Sequence, residues 1–486
     1  MKNLIIYALI SGLLVLGSCT KDFEEIDAIE DTPTELEIDK LLPAVIFEPM
    51  NSHGTMDTWL TDQIMHYYVR RNDNQLDVYD FPFLPWVFND VWASNYAAIR
   101  NINDMIELAE TENQDAYVAA GKILKAYHLA RLTELWIDVP ASEAGVSDIL
   151  LPAYDRQSDI FDSILTMLEE ANTLLDDNAS FDLGGDVLFN GDISRWKKMA
   201  NSLRLRYLLR VSNIASINAS AQINTIVSDP STYPIITSND DMAIYDFSGV
   251  APDQSAFSGL SITSIGGISM SKRMQDSYAS YGDPRVDFFF EYPTNTDEYP
   301  DHEGIPNGIT REVAQGWNTV PESNTSILKT YFVDNPDELD YTFITHAEMQ
   351  FILAEAAMNG WINTGTSDQE YYENAITANF NRWGITMPDG FLSQTEVAWD
   401  GSLERLMDQK WMAYFFNSTL DSWGELKRTG YPALTVGSLA ATVSGGEVAT
   451  RAYYPEIEQS INSANYQNAV SNIGADNIIA KHWYQD

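Results

Sequence analysis

The sequence predicts a mainly α-helical fold. Three observations carry that prediction: stretches whose apolar residues recur at helical spacing, small residues where partner helices would touch, and a central stretch with neither. Trp92, Tyr96, Ile99, Asn103 and Ile106 share one helix face. Asp115 can cap a partner helix carrying Val118, Ile123, Leu124, Tyr127 and Leu135. Ser158 opens a third, with Ile160, Phe161, Ile164, Leu165, Leu168 and Leu175. Asp192 opens a fourth, with Trp196, Ala200, Leu203 and Tyr207. Further helices are predicted over Ala347–Met358, Tyr371–Phe380 and Leu403–Phe416. Ala119-Ala120-Gly121 and Ala354-Glu355-Ala356-Ala357 supply close-packing points.

The nearest template for such pairs is a degenerate tetratricopeptide repeat, clearest over Leu353–Ile376, with an enlarged turn. Residues 220–340 are rich in Ser, Asn, Asp, Gly, Pro and aromatics, and read as a loop-rich insertion with short strands. Residues 430–486 read as irregular, with one short helix after Pro455. Residues 40–486 are thus expected to form a single domain, with helix pairs over about 88–215 and 341–420.

The N-terminus has a different character. Lys2 precedes an apolar run from Leu4 to Leu16, about 20 Å long as a helix and short for a ~30 Å hydrocarbon core. Residues 1–18 therefore read as a signal peptide. Leu16-Gly17-Ser18-Cys19 resembles a bacterial lipobox, which assigns the chain's single cysteine, Cys19, to lipidation. Thr20–Asp39 holds nine acids and one base, an extended acidic tether. Over all 486 residues, 71 acids face 28 Lys and Arg, a net charge of −43. Such a polyanion repels nucleic acid, anionic lipid and acidic polysaccharide at long range, and favours neutral or cationic ligands.

GDISRWKKMANSLRLRYLLR (191–210), GDPRVDFFF (282–290), YTFITHAEMQFILAEAAMNGW (341–361), YYENAI (371–376), MDQKWMAYFFNSTLDSWGELKRTGYPAL (407–434) and RAYYPEIEQSINSANYQNA (451–469) occur in that order. Together they resemble the SusD/RagB nutrient-binding outer-membrane lipoproteins, in the SusD-like group 2 branch. The resemblance implies a SusD-like fold of four degenerate tetratricopeptide helix pairs with irregular loops. It implies a cell-surface, outer-membrane lipoprotein of the Bacteroidetes that holds an oligomeric nutrient, usually glycan and sometimes peptide. It further implies a SusC-like TonB-dependent transporter as partner, with no bond made or broken.

No catalytic pattern competes with that expectation. His53, His66, His128, His302, His346 and His482 are scattered, none in HExxH, and there is no GxSxG elbow or phosphate loop. No metal or cofactor is expected, and Asp334, Asp337 and Asp340 lack the EF-hand pattern and read as a solvated turn. With 71 acids, sequence proximity cannot reveal a glycosidase pair, so a surface glycan hydrolase is the alternative from another class. A third reading is a structural adaptor that binds nothing. The basic run Arg195, Lys197, Lys198, Arg204, Arg206 and Arg210 is read first as internal ion pairing, and second as a docking face.

Aromatic residues carry the binding expectation, because a planar ring covers the apolar C–H face of a sugar. Trp92, Tyr96, Trp196, Tyr372, Trp411 and Phe415 lie on helical stripes and are assigned to the core. The segment VYDFPFLPWVFND (78–90) alternates aromatics with prolines and is predicted to be extended, offering Tyr79, Phe83 and Trp86 to a ligand. Tyr292, Tyr299, Trp317 and Asn318 in the insertion complete the candidates, with Trp317 expected on an exposed loop.

Overall fold

The computed structural model describes residues 37–485, apart from 48–49, 72–74, 84, 178–182, 259–266, 295–296, 318–323 and 336, and apart from the side chains of 51–52, 55, 58–59 and 83. The signal peptide, Cys19, most of the tether, Asn318 and the Phe83 side chain lie outside the described residues. The last tether residues already belong to a helix, α1 (Ile38–Phe47), which buries Ile38, Leu42, Val45 and Ile46. Helix α2 (Met50–Met56) runs into a π-helical turn at Asp57–Thr61.

Four antiparallel pairs follow. Helices α3 (Pro85–Glu112) and α4 (Asp115–Trp136) form the first, and α5 (Gln157–Asp177) and α6 (Ile193–Arg210) the second. Helices α7 (His346–Met358) and α8 (Asp368–Arg382) form the third, and α9 (Leu403–Tyr414) and α10 (Thr419–Thr429) the fourth. Helix α3 starts seven residues before its expected stripe. Pro85 occupies its first position, where a missing N–H costs nothing, and Val87, Phe88 and Val91 extend the buried face. The expected extended segment at 78–90 is therefore a correction: Phe81–Phe83 is a 3-10 turn and the chain is helical from Pro85 onward.

Local chemistry explains the boundaries. Asp192 caps α6, accepting from the amides of Ser194 (2.9 Å) and Arg195 (3.4 Å). Asp115 sits inside the first turn of α4 rather than capping it, so its charge faces the helix dipole instead. A methyl group on Gly121 would meet Ile106 Cγ1 at 2.6 Å, so the small residue lets α4 approach α3 closely.

The basic run on α6 is consumed inside the protein. Arg206 is fully buried against Glu348 of α7 (2.6 Å) and Asp421 of α10 (3.1 Å). Arg210 meets Glu134 of α4 (2.6 Å) and Glu425 of α10 (3.4 Å). Its guanidinium lies across Gly424, where an added Cβ would fall 1.6 Å from Nη1. Arg428 bridges Glu355 (2.6 Å) and Glu425 (2.5 Å). Burial raises a carboxyl's pKa, but Arg210 and Lys427 together hold Glu134 down at about 2. The helix pairs are thus tied through a charged hub.

The insertion contributes one strand to each of two two-stranded antiparallel sheets among the described residues. β1 (Tyr68–Arg70) pairs with β3 (Ile268–Met270), Val69 opposite Ser269. β2 (Ala243–Tyr245) pairs with β4 (Tyr341–Ile344) across a bulge. The insertion also contains a ten-residue helix, Lys272–Tyr281, capped by Ser271 and ended by left-handed Gly282. Asp340 is not part of a merely solvated turn, because it pairs with Arg382 (2.5 Å). The C-terminal region is more helical than expected: α11 (Glu456–Ile461) and α12 (Ser463–Ile473) both follow Pro455. Among the described residues no helix is long and apolar enough to cross a membrane, and no cluster of His, Cys, Asp and Glu could hold a metal.

Candidate ligand cleft

The start of α3 and the C-terminal segment 453–476 enclose an open cleft of about 780 Å³. Its floor is aromatic and buried. Phe81 lies 5.7 Å from Phe88 and 6.5 Å, edge-on, from Tyr453. Tyr454 is fixed beneath them by donating to the Asp138 carbonyl (2.7 Å), and Arg451 stacks on its ring at 4.6 Å. Trp92, 6% exposed, backs this floor, 5.1 Å edge-on from Trp136 and 6.5 Å from Tyr454. Its assignment to the core therefore agrees with the structure.

The rim is polar and half-exposed. Tyr466 donates to Asp476 Oδ2 (3.1 Å), and Asp476 is held by Arg451 (2.6 Å). Gln459 donates to the Tyr454 carbonyl (2.9 Å), which leaves its own amide oxygen for other partners. Asn89 lines the cleft, and among the described residues its buried Oδ1 meets no hydrogen-bond partner. Burial, and then the Asp476 charge, raise the pKa of Tyr453 and Tyr466, so both remain phenolic donors at neutral pH. Phe81, Phe88 and Tyr454 are almost wholly covered, so the half-buried Tyr453 and Tyr466 offer the ring faces, with hydroxyl, amide and carboxylate groups at the edge. That suits a ring with one C–H face and equatorial hydroxyls.

The candidates named from sequence are dispersed. Tyr79 is 2% exposed and packs edge-on against Phe81 at 5.9 Å, so it supports the floor and cannot touch a ligand here. Trp86 is 43% exposed in the first turn of α3, beside the lining residue Pro85. Tyr292 is exposed on the insertion, its ring stacked on His302 at 4.1 Å, and Tyr299 is half-buried there. Trp317 is not on an open loop: it is half-buried against the cluster of Val69, Ile305 and Ala314. The segment 78–90 singled out from sequence contributes Phe81, Phe88 and Asn89 to the cleft lining rather than Tyr79, and Asn89 was not among the candidates. Sequence reasoning also missed Tyr453, Tyr454 and Tyr466, although two tyrosines directly before Pro455 were a usable signal.

The profile of a family described as "Starch-binding associating with outer membrane", SusD-like 2, matches residues 30–455. This chain belongs to the SusD-like 2 family. That family is one of nutrient- and carbohydrate-binding proteins associated with the outer membrane. No curated protein matches the chain. Among solved structures, a chitin-binding protein is 26% identical, with a TM-score of 0.78 over 92% of this chain and 99% of that one. A SusD homologue from Bacteroides fragilis is 24% identical, TM-score 0.76, over 93% and 100%. A chitin-binding SusD homologue from Flavobacterium johnsoniae is 21% identical, TM-score 0.77, over 92% and 98%. The last two establish the shared SusD-like fold.

Proposed function

We propose that this SusD-like protein is a cell-surface lipoprotein, anchored through Cys19, that captures a neutral oligosaccharide and passes it to a SusC-like TonB-dependent transporter. It performs no catalysis in this reading. The observation that carries it is the aromatic cleft at the start of α3, with the Asn89 oxygen on its wall unpartnered among the described residues. The 26% identical chitin-binding neighbour supports a glycan built from N-acetylated sugars as the first ligand to test. The net charge of −43 supports a neutral rather than an acidic glycan. Isothermal titration with chito-oligosaccharides, malto-oligosaccharides and oligogalacturonate, alongside a reducing-end assay, tests the reading. Binding of a neutral series without new reducing ends is expected. Release of reducing ends would make the protein a hydrolase, and heat with none of the three would remove glycan capture. Labelled palmitate entering the wild type but not Cys19→Ala tests the anchor.

A further inference from the structure

A second cavity lies away from the cleft, between the π-helical turn, the insertion and the β4 and α9–α10 edges. Including its mouth it measures about 560 Å³, and its interior admits only a small group. The π-helical turn shapes its charged side. There the amide of Asp62 reaches back to the carbonyl of Asp57, five residues earlier, and both carboxylates line the cavity.

Counting the charges leaves one acid over. Asp57 is paired with Arg131 (3.2 Å), and Asp340, also on the wall, with Arg382 (2.5 Å). Asp421 behind them is paired with Arg206 (3.1 Å). Among the described residues no cation pairs with Asp62, which is 4% exposed, and its Oδ1 meets no hydrogen-bond partner. Ser255, also 4% exposed and on the same wall, has an Oγ without a partner among the described residues. The remaining wall is apolar and aromatic, with Phe247, Phe257 and Phe416, the last two edge-on at 5.4 Å.

An unpaired buried carboxylate costs several kcal/mol unless a cation or a proton arrives. The two orphan oxygens accept, so the complementary group is a compact donor carrying positive charge. The phenyl faces suit an alkyl stem and also attract a cation. A divalent metal is a poorer match, because two of the three carboxylates are already committed to arginines.

We propose that this cavity binds a primary alkylammonium group, Asp62 Oδ1 and Ser255 Oγ accepting from the ammonium and the three phenyl rings covering its stem. This is a site separate from the glycan cleft, and it stands even if the cleft's ligand is not a glycan. Burial, and then the neighbouring Asp57 charge, push the Asp62 carboxyl well above its ordinary range, consistent with a missing counter-charge.

Titration of the full chain with n-butylammonium and with n-butanol, followed by NMR or calorimetry, tests this. Saturable binding of the amine is expected, with the alcohol at least about tenfold weaker, since a charge-assisted pair is lost. Asp62→Asn should weaken the amine by about tenfold or more without lowering the melting temperature, because the amide removes a buried unpaired acid. Ser255→Ala, a smaller change, should weaken it by about threefold. Equal binding of amine and alcohol, or unchanged amine affinity in both variants, would overturn the assignment. So would no saturable binding of the amine to the wild type.

Discussion

The charged hub around α6 and the aromatic cleft at the start of α3 are both dense in polar groups, yet they differ in what their acceptors meet. In the hub each carboxylate faces a guanidinium: Glu348 faces Arg206, Glu134 faces Arg210, and Glu355 faces Arg428. In the cleft, the Asn89 amide oxygen has no partner among the described residues, and Tyr453 and Tyr466 line open volume. A network of opposite charges fixes the relative placement of helix pairs, even though Arg206 Nη1 and Arg210 Nε make no hydrogen bond among the described residues. A wall with an unmet acceptor beside half-buried tyrosine rings is where a ligand supplies what the chain does not. Sequence alone shows both as clusters of charge or aromatics, and only the partners separate them.

Breaking the hub should have the largest effect. Arg206→Ala leaves Glu348 buried and alone, and urea unfolding should show a loss of about 3–5 kcal/mol. Ligand affinity of the folded fraction should stay within about twofold, since the hub does not touch the cleft. Loss of affinity at full folding would instead make the hub part of the site. Trp92→Ala sharpens the boundary, because its ring backs the cleft floor. It should cost about 3–5 kcal/mol of stability through the cavity it leaves. A collapse of affinity with unchanged melting would place Trp92 in the site.

Acid should weaken the packed interior before the cleft. Burial, and then the Arg131 charge, hold His128 down at about 3, and burial with Arg273 does the same for His66. The unfolded chain protonates these groups near pH 6.5 while the folded protein does not. Their contribution is therefore complete above pH 6.5 and is lost as pH falls toward 3. At pH 5 each costs about 2 kcal/mol. His128→Gln should flatten the drop in urea stability between pH 7 and pH 5 by that amount, whatever its stability at pH 7. An unaltered drop would mean that His128 does not resist protonation. Asn89→Ala should give the smallest effect, about 1 kcal/mol of binding, or roughly fivefold in Kd, with no change in melting. An unchanged Kd would remove Asn89 from the ligand's contacts.

The repeating helices were legible because a buried stripe is a local pattern. Trp196, Ala200, Leu203 and Tyr207 recur every three or four residues, and Asp192 announces their start. The segment 78–90 misled because prolines and alternating aromatics suit an extended chain and a helix N-terminus equally. Only the continuation through Val87 and Val91 decides for the helix. Tyr79 was legible as an aromatic but not as buried, since its cover comes from Phe81 and the distant 449–454 segment. The same non-locality hid the other anchor of this face. Asp77 accepts from Asn307 (2.7 Å) and from the Gly308 amide (2.6 Å), residues some 230 positions away. Helices α11 and α12 were under-read because they are polar and bury little, Ala469 being the one buried residue of α12.

The central claim is that the ligand sits in the cleft between α3 and the 453–476 segment, and not on the insertion around Trp317. Titrating Tyr453→Ala and Trp317→Ala side by side with the neutral oligosaccharide that the wild type binds decides between them. The account expects Tyr453→Ala to lose about 2 kcal/mol, roughly thirtyfold in Kd, with melting nearly unchanged. Trp317→Ala should bind within about twofold of the wild type and melt slightly lower, because its indole packs on Val69 and Ile305. Full affinity in Tyr453→Ala with a collapse in Trp317→Ala would contradict the account and move the site to the insertion.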